Sequence, residues 1–376
     1  MAHYDLVMDK LLFVAQKNGL FAQKKDVLEW VSDMLSLVYP KNTRPFEIEK
    51  RLGVIARYKQ QLQALLHLPK LEQRTPLWYE TRNNMITASD FAQAVNKGKF
   101  GTQKDFYAKK CGYEPDKFDQ TMPALIWGIK FEQVANDAYS MKNSGMIVHE
   151  FGLIQHPEFS WLGASPDGIT ETGIMLEIKC PYKRKITGEI PEQYYYQIQG
   201  QLDVCDLDEC DYLECEFLQY YDRGEFVTHF NDNENFKGII VETMSEPKYM
   251  YVDPKLWFDC DAQLTWLDDV CAKIEVKALT FWQLNTYSVS RVYKDAAFVE
   301  TMYDQLSKVW ETVTMYKQDK KRYDEYMNVN TKRKGKEVAT SAGELKDCIE
   351  VRTEGKYDHV MKGKDVKFMG YAFVDE

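Results

Sequence analysis

The chain has 376 residues, 44 % of them hydrophobic and 28 % charged, enough to bury a real core in one main domain with extensions or in two domains. Its net charge of −10 argues against a protein that coats nucleic acid nonspecifically, which is usually basic. It leaves room for an enzyme that confines positive charge to one channel and keeps acids at a metal site. No run of about 18 apolar residues occurs, so no membrane span is expected.

The N-terminal "MAHYDLVMDKLLFVAQKNG" has acids before a short apolar stretch and does not read as a secretory signal. The eight cysteines are scattered; Cys205, Cys210 and Cys215 are five apart, not at C-x-x-C spacing. Reduced, partly buried thiols in an intracellular, reducing compartment are expected. The six histidines form no H-x-x-x-H pattern.

Residues 1 to about 72 predict a helical N-terminal extension. "DLVMDKLLFVAQKNG", "KKDVLEWVSDMLSLVY" and "PFEIEKRLGVIARYKQQLQALLHL" carry apolar residues at three- and four-residue spacing. Packing is the expected task of this module; Lys50, Arg51, Arg57 and Lys59 are the residues that would touch DNA if it served that purpose instead. From Thr75 the texture changes. In "TPLWYETRNNMITASDFAQAV", Thr87 or Ser89 is placed to cap a helix near Asp90. "TMPALIWGIKFEQVANDAYSMKNSG" predicts a long amphipathic helix that ends towards Gly145.

Strand-like runs follow in "MIVHEFGLIQH", "WLGASPDGITE" and "GIMLEIKCP", then a helix in "EQYYYQIQGQLDVCD". "CDYLECEFLQYY" and "GEFVTHF" read as strands joined at "DRG"; "NENFKGIIVETMSEPKYMYVDP" reads as an edge extension and "TFWQLNTYSVSRVY" as a further strand. "DAQLTWLDDVCAKI" and "FVETMYDQLSKVWETVTMYKQDKKRYDEYM" read as helices. The order implies a mixed α/β core over about 73–320. A basic linker and tail follow over 321–376, with clusters at Lys320–Arg322 and Lys332–Lys336 and a short hairpin near the end.

The chemistry concentrates in "GASPDGITETGIMLEIKCP". Pro166 and Gly168 make "SPDG" a turn signal, "TETG" is the reversal, and "IMLEIKCP" is the returning strand. Alternation along that strand puts Glu177 and Lys179 on one face and Leu176, Ile178 and Cys180 on the other. An antiparallel return brings Asp167 opposite Glu177. Two close carboxylates repel each other and need a cation; oxygen-only ligands suit Mg²⁺ or Mn²⁺. Lys179 beside them would orient or activate a water, an arrangement suited to phosphodiester hydrolysis. A surface hairpin with solvated Glu and Lys is the plainer reading of the same spacing.

Five blocks in order change that balance: "WYETRNNMITASD", "ALIWGIKFEQVAND", "LGASPDG", "LEIKCP" and "YYYQIQGQLDV", with a weaker sixth in "FWQLNTYSVSRVYKD". From about Leu77 to about Lys317 the chain resembles the lambda-exonuclease-like (YqaJ-type viral recombinase) nucleases of the PD-(D/E)xK superfamily. The resemblance implies a restriction-endonuclease-like fold: a mixed central β-sheet flanked by helices, here with a helical N-terminal extension and C-terminal helices. By the same resemblance, Asp167, Glu177, the backbone carbonyl of Ile178 and the helical Glu132 would hold Mg²⁺, with Mn²⁺ a substitute. Lys179 would hold or deprotonate the attacking water, and Gln197 would steady the water or the lysine. Arg82, Ser89 and Ser165 match the family's pocket for a terminal 5′-phosphate, a task that suits a planar guanidinium and hydroxyls. An arginine that completes that pocket in the family falls here in "CPYKRKITGEIPEQ", where either Arg184 or Lys185 would serve.

The implied activity is digestion of one strand of duplex DNA from phosphorylated 5′ ends, leaving 3′ single strands for recombination or replication processing. An endonuclease or broad alkaline nuclease on the same fold is the alternative. A catalytically silent DNA-binding scaffold is the reading from a different class. Implied partners are duplex DNA ends, a single-strand annealing protein and further copies in a ring; the implied setting is viral, inside the host cell.

Overall fold

Three helices open the chain: α1 (Ala2–Lys17), α2 (Lys24–Val38) and α3 (Pro45–Leu66). The computed structural model describes residues 2–329 except 18, 20–22, 40–44, 70, 72, 74 and 114–120. The expected C-terminal hairpin and the Lys332–Lys336 cluster lie outside the described residues. Met8, Leu12 and Ala15 of α1, Val31 and Leu35 of α2, and Ile48 and Ile55 of α3 form one apolar cluster. Their spacing is the helical repeat read from the sequence.

The mixed α/β region begins at α4 (Pro76–Asn83). Thr75 caps it by accepting from the Trp78 amide at 3.2 Å, and Pro76 occupies the first turn, where a missing N–H costs nothing. Next come β1 (Ile86–Thr87), a 3-10 turn at Ala88–Asp90, α5 (Phe91–Ala94), α6 (Gln103–Cys111) and α7 (Pro123–Lys142). Neither expected cap forms at Asp90: the Thr87 side chain makes no capping bond, and Ser89 lies inside the 3-10 turn. The Thr87 hydroxyl instead donates to the buried Asp90 carboxylate at 2.9 Å. After α7 the chain turns through Gly145 at φ +72°, whose amide reaches back to the Ser140 carbonyl at 2.9 Å.

Short strands β2 (Val148–His149), β3 (Ile154–Gln155), β4 (Leu162–Ala164), β5 (Gly168–Thr170) and β6 (Met175–Lys179) precede α8 (Glu192–Val204). Then come β7 (Glu209–Tyr220), α9 (Arg223–Thr228), β8 (Lys237–Thr243), β9 (Tyr249–Tyr251), α10 (Cys260–Cys271), β10 (Val276–Tyr293), α11 (Ala296–Gln318) and α12 (Lys320–Val329). A seven-stranded sheet runs in the order β2-β5-β6-β7-β10-β8-β9, and a three-stranded one in the order β1-β4-β3. In the large sheet only β6 and β7 are parallel. A parallel pair needs a crossover, and α8 supplies it. This is the mixed sheet flanked by helices that the sequence implies, with β9 at the edge.

The segment "GEFVTHF" is helical rather than a strand. Asp222 accepts from the Glu225 amide at 2.8 Å, starting α9, and Phe226 buries against Phe281. That cap and its anchor outweigh the local strand propensity. Strand β7 therefore finds its antiparallel partner in the distant β10.

The N-terminal arginines are structural. Arg51 reaches both oxygens of Asp9 at 2.7 Å and also bonds Glu209 on β7. Arg291 on β10 bonds Asp211 at 2.5 Å, Asp9 at 3.0 Å and Glu209. Tyr58 donates to Glu209 at 2.8 Å and Tyr139 to Asp211 at 2.7 Å. Three carboxylates thus meet two guanidinium groups and two hydroxyls, which is how buried charge is tolerated. Arg57 pairs with Asp208 at 2.6 Å and Lys59 donates to Gln16 at 3.2 Å; Lys50 and Arg57 are exposed. The seven described cysteines form no disulfide. No helix among the described residues is long and apolar enough to cross a membrane.

Candidate active site

Strands β5 and β6 pair with Gly168 opposite Leu176 and Ile169 opposite Met175. One further step in this register sets Asp167 opposite Glu177, as the alternation of the two strands predicts. Gly173, at φ +83°, makes the reversal, its amide donating to the Thr170 carbonyl at 2.7 Å. Leu176, Ile178 and Cys180 join the main apolar cluster with Phe131, Val134 and Ala138 of α7, so α7 covers that face. Glu177 points the other way and is fully buried.

Asp167 Oδ2 accepts from the Ile178 amide at 2.7 Å. In a strand the N–H and C=O of one residue leave on the same side, so the Ile178 carbonyl faces the Asp167 side as well. Lys179 Nζ bonds Glu177 Oε1 and lies 4.9 Å from the centre of the Tyr194 ring. Burial raises the Asp167 carboxyl well above the ordinary range, and the nearby charges of Glu177 and Glu132 raise it further. Burial alone would lower Lys179; Glu177 and Asp167 outweigh it and hold the ammonium above its ordinary value.

Glu132 of α7 and Glu177 of β6 therefore both act electrostatically on Asp167 in the β4–β5 turn, and Lys179 opposes them. Among the described residues no three His, Cys, Asp or Glu side chains stand in a closed metal cage. With Lys179 directly on Glu177, one oxygen of that acid is committed to the ammonium. The donor set nevertheless fits a hard divalent cation: all oxygen, doubly anionic after Lys179 is counted, and short of positive charge.

Gln197 is half-buried on α8, and the amide that reaches Glu177 belongs to Gln201, one turn further on. Its Nε2 donates to Glu177 Oε2 at 2.8 Å. Both glutamines lie four apart on one helix, so the sequence carried the signal without showing which one faces the acid. Gly200 permits the close approach of α8: a Cβ there would stand 2.3 Å from the Phe91 ring and 3.2 Å from Ala88.

On the neighbouring sheet, β1 and β4 run parallel with Thr87 opposite Gly163. Ser89 and Ser165 each follow a paired position by two residues. Arg82 Nη2 donates to Ser89 Oγ at 2.9 Å, and its guanidinium carbon lies 4.3 Å from the Trp78 ring centre. Behind them, Lys110 donates to the Arg82 carbonyl at 2.8 Å and pairs with Asp90 at 2.7 Å. Ser165 Oγ is buried and meets no protein partner. Arg184 is committed to Glu214 of β7, while Lys185 is exposed. Glu214 and Lys110 were not singled out from the sequence; their partners appear only once distant elements are brought together.

The chain is 25 % identical over 390 aligned positions to the uncharacterized protein R354 of Acanthamoeba polyphaga mimivirus, covering 89 % of this chain and 69 % of that one. It is 24 % identical to protein D345L of African swine fever virus over 35 % of this chain, and spans less than half, 46 %, of that protein. Among solved structures, the alkaline exonuclease LHK-Exo of Laribacter hongkongensis superposes with a TM-score of 0.43 at 20 % identity, over 67 % of this chain and all of that one. A phage-related exonuclease from Haemophilus somnus gives 0.33 at 11 %, over 62 % of this chain and 94 % of that one. A family model, the YqaJ-like viral recombinase domain, matches residues 77–208 and so contains the first five sequence blocks and every candidate site residue. Over residues 77–208, then, this chain is similar to the YqaJ-like viral recombinase domain.

Proposed function

We propose that this chain is a metal-dependent DNA exonuclease that hydrolyses duplex DNA from phosphorylated 5′ ends. The observation that carries the reading is the cluster of Asp167, Glu177 and Lys179, with the ammonium on Glu177 and with burial, Glu177 and Glu132 raising Asp167. Asp167, Glu177, the Ile178 carbonyl and Glu132 would hold Mg²⁺ or Mn²⁺. Bound there, the ion would polarise the phosphoryl oxygen and lower the pKa of a water. Lys179, kept as an ammonium by Glu177 and Asp167, favours holding the water and meeting phosphate charge over accepting a proton.

Arg82 and Ser89, already hydrogen-bonded to each other, would bind the terminal phosphate with Ser165, whose buried hydroxyl has a free donor. Of the two basic candidates downstream, Lys185 is the one with an uncommitted charge. The likeness in sequence to two viral proteins agrees with a viral setting.

The test compares 5′-phosphorylated linear duplex, 5′-hydroxyl linear duplex and closed circular duplex, each with Mg²⁺, Mn²⁺ or EDTA. Rapid loss of the phosphorylated linear DNA with either ion, slower loss of the hydroxyl form and an intact circle are expected. Cutting of the circle would assign an endonuclease to the same residues.

A further inference from the structure

Glu177 is held from two sides. Its Oε1 takes the Lys179 ammonium and its Oε2 takes Gln201 Nε2 at 2.8 Å. Gln201 is itself 1 % exposed, and α8 is pinned beside it by the contact between Gly200 and Phe91. The same amide nitrogen lies 3.5 Å from the Ser165 carbonyl, in the turn that delivers Asp167 two residues later. One side chain thus touches both the strand that bears one acid and the turn that bears the other.

The other half of that amide is unsatisfied: Gln201 Oε1 is buried without a protein partner. Burying an unpaired amide oxygen is costly, and an apolar side chain of similar size would fill the space without that penalty. A residue kept solely for packing has no reason to be glutamine here. Gln197, one turn earlier and half-buried, forms no such link.

We propose that Gln201 is a positioning residue for the reaction. It fixes the orientation of the Glu177 carboxylate and registers the Ser165–Asp167 turn against it, so that both acids address one cation. Its free carbonyl oxygen would accept from a water of that coordination sphere. Partners of this outer kind typically change metal affinity or activity by about 10- to 100-fold when removed. The inference rests on the reading of Glu177 as a working acid.

The experiment uses the full chain with Gln201→Met, close in volume and lacking the amide, and Gln201→Glu, which keeps the shape. Glu177→Gln serves as the reference for the site itself. Tm, kcat and KM on linear duplex with Mg²⁺, and Mn²⁺ affinity by calorimetry without DNA, are measured for each. Gln201→Met is expected to fold, to lose roughly 10- to 100-fold in kcat with KM for DNA within about twofold, and to bind Mn²⁺ roughly tenfold more weakly. Wild-type kcat and Mn²⁺ affinity in folded Gln201→Met overturn the inference, and so does a rise in KM alone, which marks a DNA contact. If the methionine variant does not fold, Gln201→Glu decides by the same two quantities. Loss of activity in Glu177→Gln with wild-type behaviour at Gln201 removes only the positioning role; full activity in Glu177→Gln removes the site reading itself.

Discussion

Replacing Asp167 by asparagine separates stability from chemistry. Asp167 is raised by burial first and then by Glu177 and Glu132, with Lys179 opposing. Its ionised form is therefore a cost in the metal-free protein. Asparagine keeps an oxygen for the Ile178 amide, now at 2.7 Å from Asp167, and removes the charge. Relief of functional strain of this kind is commonly worth about 0.5–2 kcal/mol, or roughly 1–5 °C in Tm for a chain of this size.

The sign with pH follows from linkage. A carboxyl raised in the folded state binds extra protons there, so its destabilising effect is absent below the unfolded value of about 4. It is complete once the pH exceeds the folded value. In EDTA, Asp167→Asn should melt above the wild type near neutral pH, and the gap should close in acid. Mg²⁺ should raise the wild-type Tm and leave the variant unmoved, and the variant should not cleave DNA. Differential scanning calorimetry across pH with and without Mg²⁺ reads all of this. A variant that melts several degrees below the wild type at neutral pH in EDTA refutes the electrostatic reasoning.

Other perturbations test other parts. Arg51→Met leaves Asp9 and Glu209 buried with one cation fewer. It should cost about 3–5 kcal/mol in urea unfolding, whereas a DNA-contact role would leave stability alone and weaken binding. Arg82→Ala should reduce the rate ratio between 5′-phosphorylated and 5′-hydroxyl duplexes by roughly tenfold, the worth of one charge-assisted contact; an unchanged ratio removes Arg82 from end recognition. Lys110, Lys109 and Arg82 outweigh burial and hold Asp90 well below the carboxylate range, and Arg51 and Arg291 outweigh burial to lower Glu209. Depressed carboxyls stabilise above their unfolded values and lose that contribution as the pH falls through the folded ones. Tm should therefore drop steeply below about pH 4, and a flat profile there would contradict the ion networks.

The β5–β6 hairpin was legible because strand alternation has a fixed period and the reversal is marked by Gly173. Once Glu177 and Lys179 share a face, Leu176, Ile178 and Cys180 must share the other, and they pack on α7. Helix phase is less binding. Gln197 and Gln201 both lie on α8, and only the tilt set by Gly200 against Phe91 decides that Gln201 reaches Glu177. The Asp9–Arg51–Glu209–Arg291 network was not legible at all, since Asp9 and Arg291 are 282 positions apart and no local pattern links them. At α9 a local signal was present and was outweighed: Asp222 is a good cap, but the preceding turn and the β-branched and aromatic residues suggested a hairpin.

The most direct test of the nuclease assignment is Lys179→Ala, assayed for cleavage of 5′-phosphorylated linear duplex with Mg²⁺ and for affinity to the same DNA in EDTA. The site described here predicts that cleavage is lost while the folded variant binds DNA about as well as the wild type. Cleavage at the wild-type rate would contradict it.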